Sequence, residues 1–357
     1  MTLRLHVDGD RWHSHLRSFG EREPEIIPVN KGNGYGFGFE RLLAEPGPNH
    51  WGDIAVGTYA EAVAALGSTS AGIVVLNPWR PQDMSAAAAL ASDRLLHTLS
   101  RTQDVAPFAR AAARAGGARV AVEVATDLRR HGIGVEDLPT MARALQAAPA
   151  IGCHALALHH PIDRHAGKDP VAQTIDAVVA ARAAGIGTPL TELLVSHLSP
   201  EEIAAVRRGV GDLRVRPRIG TALWLGDPGA YVARGVVLDV HRLARGDRYG
   251  YRQRRAPADG SLLVVGGGTA HGIGLAAPTA PRGLARLRTA ALGGLSAAGL
   301  ALSPFRWAGR KRWFAEPPHM QVSLLFLPAS VPPPSVGDEL DVDVRMTTAH
   351  FDAVLVE

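Results

Sequence analysis

The chain has 357 residues, 46% hydrophobic and 20% charged, a globular composition that excludes general disorder and is long enough for one large domain plus a smaller one. Its 38 basic and 34 acidic residues leave a net charge of +4, too even a balance to single out nucleic acid as a partner. The most membrane-like stretch, Thr289 to Ser303, is shorter than a bilayer span and follows Arg282, Arg286 and Arg288; the opening MTLRLHVDGDRWHSHL lacks the apolar core of a signal, and Cys153 is the single cysteine, so no membrane span, no internal disulfide and a cytoplasmic location are expected.

In chain order, short apolar strands are predicted at Glu25 to Asn30, Asp53 to Gly57, Gly72 to Leu76, Ala118 to Val124, His154 to His159, Leu190 to Val195 and Leu213 to Ile219, with an indistinct one around Arg94 to Leu99. Alanine-rich helical stretches lie between them. Pro139 to Ala147 is one and Pro200 to Arg208 another, the latter opening on Ser199 with Glu202 three residues on, a capping box. Such alternation means βα units and a parallel sheet, and an (α/β)8 barrel of the TIM type closes it. After Asp227 the pattern becomes alternating strands with Gly and Pro turns, at Gly235 to Val240, Leu262 to Val265, Gln321 to Leu327 and Glu339 to Arg345. The expected organisation is therefore a barrel over residues 1–226 and a β-rich C-terminal domain over 227–357. The whole basic surplus falls in the second part, which holds 15 basic and 11 acidic residues. Its densest piece, RWAGRKRW from Arg306 to Trp313, reads as a solvated loop or a weak anion site.

Only three basic residues are lysines: Lys31, Lys168 and Lys311. Lys31 ends the first strand and opens a glycine-rich turn, KGNGYGFG, which puts an amine at the C-terminal tip of a strand, where a parallel barrel keeps its chemistry. Unlike arginine, a lysine there can be neutralised by burial and can form a Schiff base with an aldehyde. Among the fifteen histidines no Cys/His spacing for zinc appears, so no metal site is expected. GGGTAHG lacks the GxGxxG spacing of a dinucleotide loop.

The segment PVNKGNGYGFG resembles the lysine motif of alanine racemases, Val-Lys-Ala-Asn-Ala-Tyr-Gly-His-Gly. The resemblance continues through DIAVGTYAEA, VEVATDLRRHGI, ALALHHP, RIGTALWLG and the turn GDRYGY. It implies a pyridoxal 5'-phosphate (PLP) enzyme that interconverts amino-acid enantiomers, supplying a D-amino acid for peptidoglycan precursors and working as a homodimer with shared active sites. Residue by residue, it implies that Lys31 binds PLP and acts as one base, that Tyr35 contacts its phosphate, and that His159 packs near the pyridine ring. Arg218 falls on the residue facing the pyridine nitrogen, where an arginine keeps that nitrogen unprotonated. Gly220 and Thr221 fall on the phosphate turn, Ser196 or His197 on the phosphate serine, and Arg130 on an arginine orienting ring oxygen and substrate.

Two departures stand out against that pattern. The family takes its second base, a tyrosine in Gly-Tyr-Ala-Asp-Gly, from the partner subunit; here GGGTAHG puts Thr269 at the tyrosine and His271 at the aspartate. Threonine is a poor base, so His271, with an ordinary imidazole pKa of about 6.5, is the expected substitute. PHMQVS resembles Cys-Met-Asp-Gln, keeping Met320 as the amide for the substrate carboxylate, with His319 and Gln321 as changed neighbours. The expected substrate is alanine or another small amino acid. A PLP-dependent epimerase, decarboxylase or lyase on a larger substrate, and a PLP-binding protein without turnover, are the alternatives.

Overall fold

A run of strand–helix steps follows an N-terminal strand that belongs elsewhere. A computed structural model describes residues 2–45, 51–90, 92–164, 169–186, 189–275 and 301–357. Lys168, Arg282, Arg286, Arg288 and nearly all of Thr289 to Ser303 lie outside the described residues. After β1 (Leu3–Val7) and α1 (Gly9–Arg22) come β2 (Ile27–Pro28), α2 (Phe39–Ala44), β3 (Asp53–Val56), α3 (Tyr59–Ser68), β4 (Gly72–Val75) and α4 (Met84–Ala89). They continue as β5 (Leu95–Leu99), α5 (Val105–Arg114), β6 (Ala118–Val124), α6 (Leu138–Gln146), β7 (Ile151–His159) and α7 (Pro170–Ala183). The series ends with β8 (Glu192–Ser196), α8 (Pro200–Gly209), β9 (Arg214–Ile219) and the short α9 (Thr221–Trp224).

Strands β2 to β9 form one parallel sheet in the order β2-β9-β8-β7-β6-β5-β4-β3. A parallel bridge between Val29 and Ala55 closes it into a barrel. β2 is two residues where a longer strand was expected, and beyond it the Val29 and Asn30 N–H groups still bond the Ile219 and Ala55 carbonyls at 2.8 Å. The interior is filled by Ile27, Val29, Ala55, Val74, Leu96, Ala121, Ala155, Ala157 and Leu194, while a larger apolar layer, including Tyr59, Phe108, Met141, Val178 and Val206, lies between strands and helices. Because Val215 of β9 belongs to that outer layer, its neighbours Arg216 and Arg218 point inward. Arg216 pairs with Asp53 and, at 3.3 Å, with Glu192, which closes the N-terminal end of the barrel with matched charge. Helix starts follow local sequence: Thr58 and Glu61 exchange side-chain bonds with each other's backbone (3.2 and 2.9 Å), as do Ser199 and Glu202 (3.2 and 2.7 Å), which satisfies donors that a helix start leaves open.

The rest of the chain supplies β10 (Tyr231–Leu243), β11 (Arg248–Tyr249), β12 (Arg254–Arg255), β13 (Gly260–Gly266), β14 (Leu302–Trp307), β15 (Arg310–Phe314), β16 (Val322–Pro328), β17 (Glu339–Val342) and β18 (Ala353–Val356). The long β10 pairs with β1 and β17 in its first half and with β13 in its second. This makes a ring of β13-β16-β15-β14-β17-β10, to which β1 and β18 are added. Leu3, Val237, Leu263, Val265, Phe305, Leu325 and Leu340 form its core. Residues 1–15 and 33–38 lie in the same compact unit as 227–357, and residues 16–32 and 39–226 form the other. The division is not sequential because β1 bonds to β10 on one side and β18 on the other. The segment Arg306 to Trp313, read above as a solvated loop or anion site, is the β14–β15 hairpin; Arg306 and Lys311 both pair with Asp343 at 2.8 Å, and Arg312 bonds the Trp307 carbonyl. Three of its four cations are occupied within the fold. Among the described residues no helix is long and apolar enough to cross a membrane.

Candidate active site

The C-terminal ends of the barrel strands gather a set of cations. Lys31 follows β2, and the carboxylate of Glu61, at the start of α3, fixes the backbone around it by accepting from the N–H groups of Gly32 (2.6 Å), Gly57 (2.7 Å) and Thr58 (2.9 Å). A Cβ added at Gly57 would lie 3.3 Å from the Lys31 Cβ and 2.9 Å from Glu61, so glycine there lets β3 approach the lysine. Although much of Lys31 is open to solvent, its amine is held below the ordinary lysine range, by burial first and then by Arg130, against an upward pull from Glu61 and with a smaller push from Arg218. Arg218, 6% exposed, donates to the Ser196 hydroxyl at 3.1 Å and the Leu158 carbonyl at 2.9 Å. Burial lowers its pKa to about 10, with Glu123 opposing and Arg130 assisting. It therefore keeps its charge at neutral pH. His159 and His197 meet edge to face at 4.8 Å. Burial, Arg218, Arg130, His197 and Lys31 push His159 down to about 2, making it a neutral ring at physiological pH. His197 is also lowered, by burial first and by Arg218 next, and it sits at φ +61° with its carbonyl bonded by Arg164 at 2.6 Å. Gly220 and Thr221 follow β9 at the N-terminus of α9.

Tyr35 lies in the other unit, buried and at φ +54°. Its neighbours Asn33 and Gly36 are fixed by the C-terminal segment: Asn33 donates to the carbonyls of Met346 (2.7 Å) and Ala349 (2.6 Å), and a Cβ on Gly36 would meet Met346 at 2.7 Å. In the same unit a groove of about 620 Å³ is lined by Tyr251, Arg252, Thr269, Glu316, His319 and Met320, among others. The strip from Gly267 to Ala270 runs against residues 319–321 through backbone bonds, among them Thr269 N–H to the His319 carbonyl at 2.8 Å and Ala270 N–H to that of Met320 at 3.0 Å. Thr269 and Met320 are exposed. His271 is not: it is 4% exposed, its Nδ1 accepts the Gly268 N–H at 3.2 Å, and its Nε2 faces Asp352 at 3.1 Å. That proton count makes His271 an Nε2–H donor with no nitrogen left for a substrate. Burial pushes the Asp352 carboxyl up, but bonds from the N–H groups of Leu3 and Thr2, the Thr2 hydroxyl and His271 hold it well below the usual range.

Residues 7–205, more than half the chain, match the family model of the alanine racemase N-terminal domain. The chain belongs to the alanine racemase family. It is similar to the alanine racemase of Corynebacterium efficiens, 28% identical over 285 residues that cover 78% of this chain and 77% of the relative. A solved alanine racemase from Bartonella henselae with covalently bound pyridoxal phosphate shares the fold at a TM-score of 0.69, 15% identity and full coverage of both chains. The histidine racemase of Leuconostoc mesenteroides subsp. sake does so at 0.66, 17% identity, and 100% and 98% coverage. For an alanine racemase family member, the barrel mouth is the expected seat of chemistry. There the structure brings together Lys31, Arg130, His159, Ser196, His197 and Arg218. Thr269 and Met320 share the groove, whereas His271 turns into the core, contrary to its expected role as a free base. Sequence reasoning passed over Glu61, whose signal was the Thr-x-x-Glu of GTYAEA, and Glu316, for which no local signal exists; Tyr251 ends the turn GDRYGY quoted above.

Proposed function

We propose that this chain is a PLP-dependent amino-acid racemase acting on alanine or another small amino acid, with Lys31 as cofactor lysine and one proton-transfer base. The observation that carries the reading is an amine below its ordinary pKa at a strand tip, set beside a buried, hydrogen-bonded arginine, in a chain of this family. A neutral-prone amine and a ring of cations are the donor set that a phosphorylated aldehyde requires. Bound through Lys31, PLP would draw electrons from the substrate's Cα–H bond. Arg218 would donate to the pyridine nitrogen and, holding its own proton, leave that nitrogen unprotonated. His159, neutral by its surroundings, would pack against the ring. Tyr35, Ser196 or His197, and the backbone at Gly220 and Thr221 would hold the phosphate, with the Met320 amide and Arg130 orienting the substrate. Residues 1–226 would serve as the cofactor-binding part of the chain and residues 227–357 as the part that completes a second copy's site in a closed homodimer. The open groove beside Thr269, with Arg252 in its wall, favours as second reading a larger or anionic amino acid.

The test is borohydride reduction of the purified, PLP-saturated protein. The wild type should retain a covalently trapped cofactor and Lys31→Ala none. The reading fails if the wild type traps no PLP, or if Lys31→Ala traps as much. A panel of L- and D-amino acids, followed by loss of the Cα proton to deuterium oxide, then identifies the substrate.

A further inference from the structure

In the groove of the C-terminal unit a buried carboxylate holds an imidazole. Glu316 is 3% exposed, and its Oε1 lies 2.6 Å from His319 Nε2. Its other oxygen accepts the Tyr251 N–H at 3.1 Å. Gly250 sits at φ +71°, a backbone conformation that favours glycine, and a Cβ there would crowd the Glu316 carboxylate. Tyr249 and Arg254 fasten the same turn to the Ala315 carbonyl at 3.3 and 3.1 Å. The Tyr251 ring lies 4.6 Å from that of His319. With Nε2 committed to the carboxylate, His319 presents Nδ1, which makes no hydrogen bond among the described residues. Its backbone carbonyl is bonded by Thr269, whose side chain shares the groove.

Racemisation needs proton transfer on both faces of Cα, and Lys31 serves one. An imidazole carries two ring nitrogens, so His319, with Nε2 held by the buried Glu316 carboxylate, still has Nδ1 to take or give a proton in the groove. We infer that His319 supplies the second proton-transfer group, its Nδ1 giving or taking the Cα proton on the face opposite Lys31 of a second copy, with Glu316 as its positioning residue. In one direction Lys31 Nζ takes the proton from Cα and the Nδ1–H of the imidazolium returns one to the other face. His319 is left neutral with Nε2–H on Glu316 and Lys31 protonated, and solvent exchange resets both. The reverse direction exchanges the two roles. This inference rests on the racemase reading above.

The experiment uses PLP-saturated wild type, His319→Gln, Glu316→Gln and Glu316→Met, with borohydride trapping as the check that each is folded and loaded. His319→Gln should trap cofactor as the wild type does, lose interconversion of the enantiomers by about 10²- to 10⁴-fold, and still exchange the Cα proton of the one enantiomer that faces Lys31. Glu316→Gln, which keeps an acceptor for Nε2, should retain more interconversion than Glu316→Met. In protein without PLP, long-range ¹H–¹⁵N spectra at alkaline pH should show His319 as the Nε2–H tautomer in the wild type and as a mixture in Glu316→Met, a readout independent of turnover. Loaded His319→Gln that interconverts enantiomers at the wild-type rate, or an Nδ1–H tautomer in the wild type, overturns the inference while leaving the racemase reading intact; a wild type that traps no PLP overturns both.

Discussion

Arg216 stands in the barrel interior with its charge matched by Asp53 and Glu192 and its Nε without a partner. Removing one member of a buried pair strands the other, at a cost of about 3 kcal/mol or more. Asp53→Ala with Glu192→Ala leaves Arg216 unpaired and should lose about that much in urea unfolding, and adding Arg216→Met should recover much of it; equal stability of the double and triple variants would show that the charge is not felt. Two other buried residues set the acid limit. His97, whose Nδ1 lies 3.0 Å from the Tyr59 hydroxyl, and His160, whose Nε2 lies 2.9 Å from Thr174, are each held down to about 4, chiefly by burial. The unfolded chain takes up these protons near pH 6.5 and the folded chain only near pH 4, so the unfolded state binds more protons between those values and stability rises with pH. The contribution is complete above about pH 6.5 and is lost as pH falls toward 4, about 3 kcal/mol for each histidine at most. Urea midpoints at pH 7.5 and 5.0 should differ accordingly, and His97→Gln, which keeps an acceptor for Tyr59, should reduce the difference.

At the scale of elements, α3 and the loop of Lys31 share one carboxylate. Glu61→Ala releases three backbone N–H groups at once, so it should cost about 1–2 kcal/mol, like the loss of a helix cap, and also weaken PLP retention, since the Gly32 bond goes with it. Thermal melting and borohydride trapping measure the two effects; a variant that loses stability but retains PLP as the wild type does would separate the cap from the site. Most barrel strands were legible because a strand buried on both faces reads as an apolar run between capped helices. β5 was indistinct because LLHTL carries His97 and Thr98, whose burial depends on Tyr59 and on the Val75 carbonyl. β1 and β18 gave no usable pattern, since each is defined by a partner at the far end of the chain. The site divides in the same way. Lys31 stood out by its scarcity and its turn, and Arg218 was reached only through the family resemblance. His271 was misjudged because the acid that fixes it lies 81 residues away, and Glu316 was missed because the glycine that accommodates it belongs to a different turn.

At the scale of the whole molecule, the proposed sharing of sites has a direct consequence for mixed assemblies. Lys31→Ala and His319→Gln chains, each slow alone, should regain interconversion when combined, because a mixed dimer holds one site with both groups intact. Proven mixed dimers without recovery would place both groups in the same chain or remove one from the reaction. The pairing of β1 with β18 reaches further, into the order in which the protein is made. Leu3 to Val7 is made before either of its neighbours, Tyr231–Gly235 and Ala353–Val356, and the Gly9 N–H bonds the carbonyl of Glu357. The βα steps of the barrel draw on contacts close in sequence and can form while synthesis continues. The opening strand has no such option: it must wait unpaired until β10 has cleared the exit tunnel, and its other edge stays open until residue 356 follows. Chains that stop before residue 231 should therefore contain a formed barrel with a free, aggregation-prone N-terminal strand, and pulse proteolysis of released chains ending at residue 226 should cut within residues 1–9 while sparing 53–219.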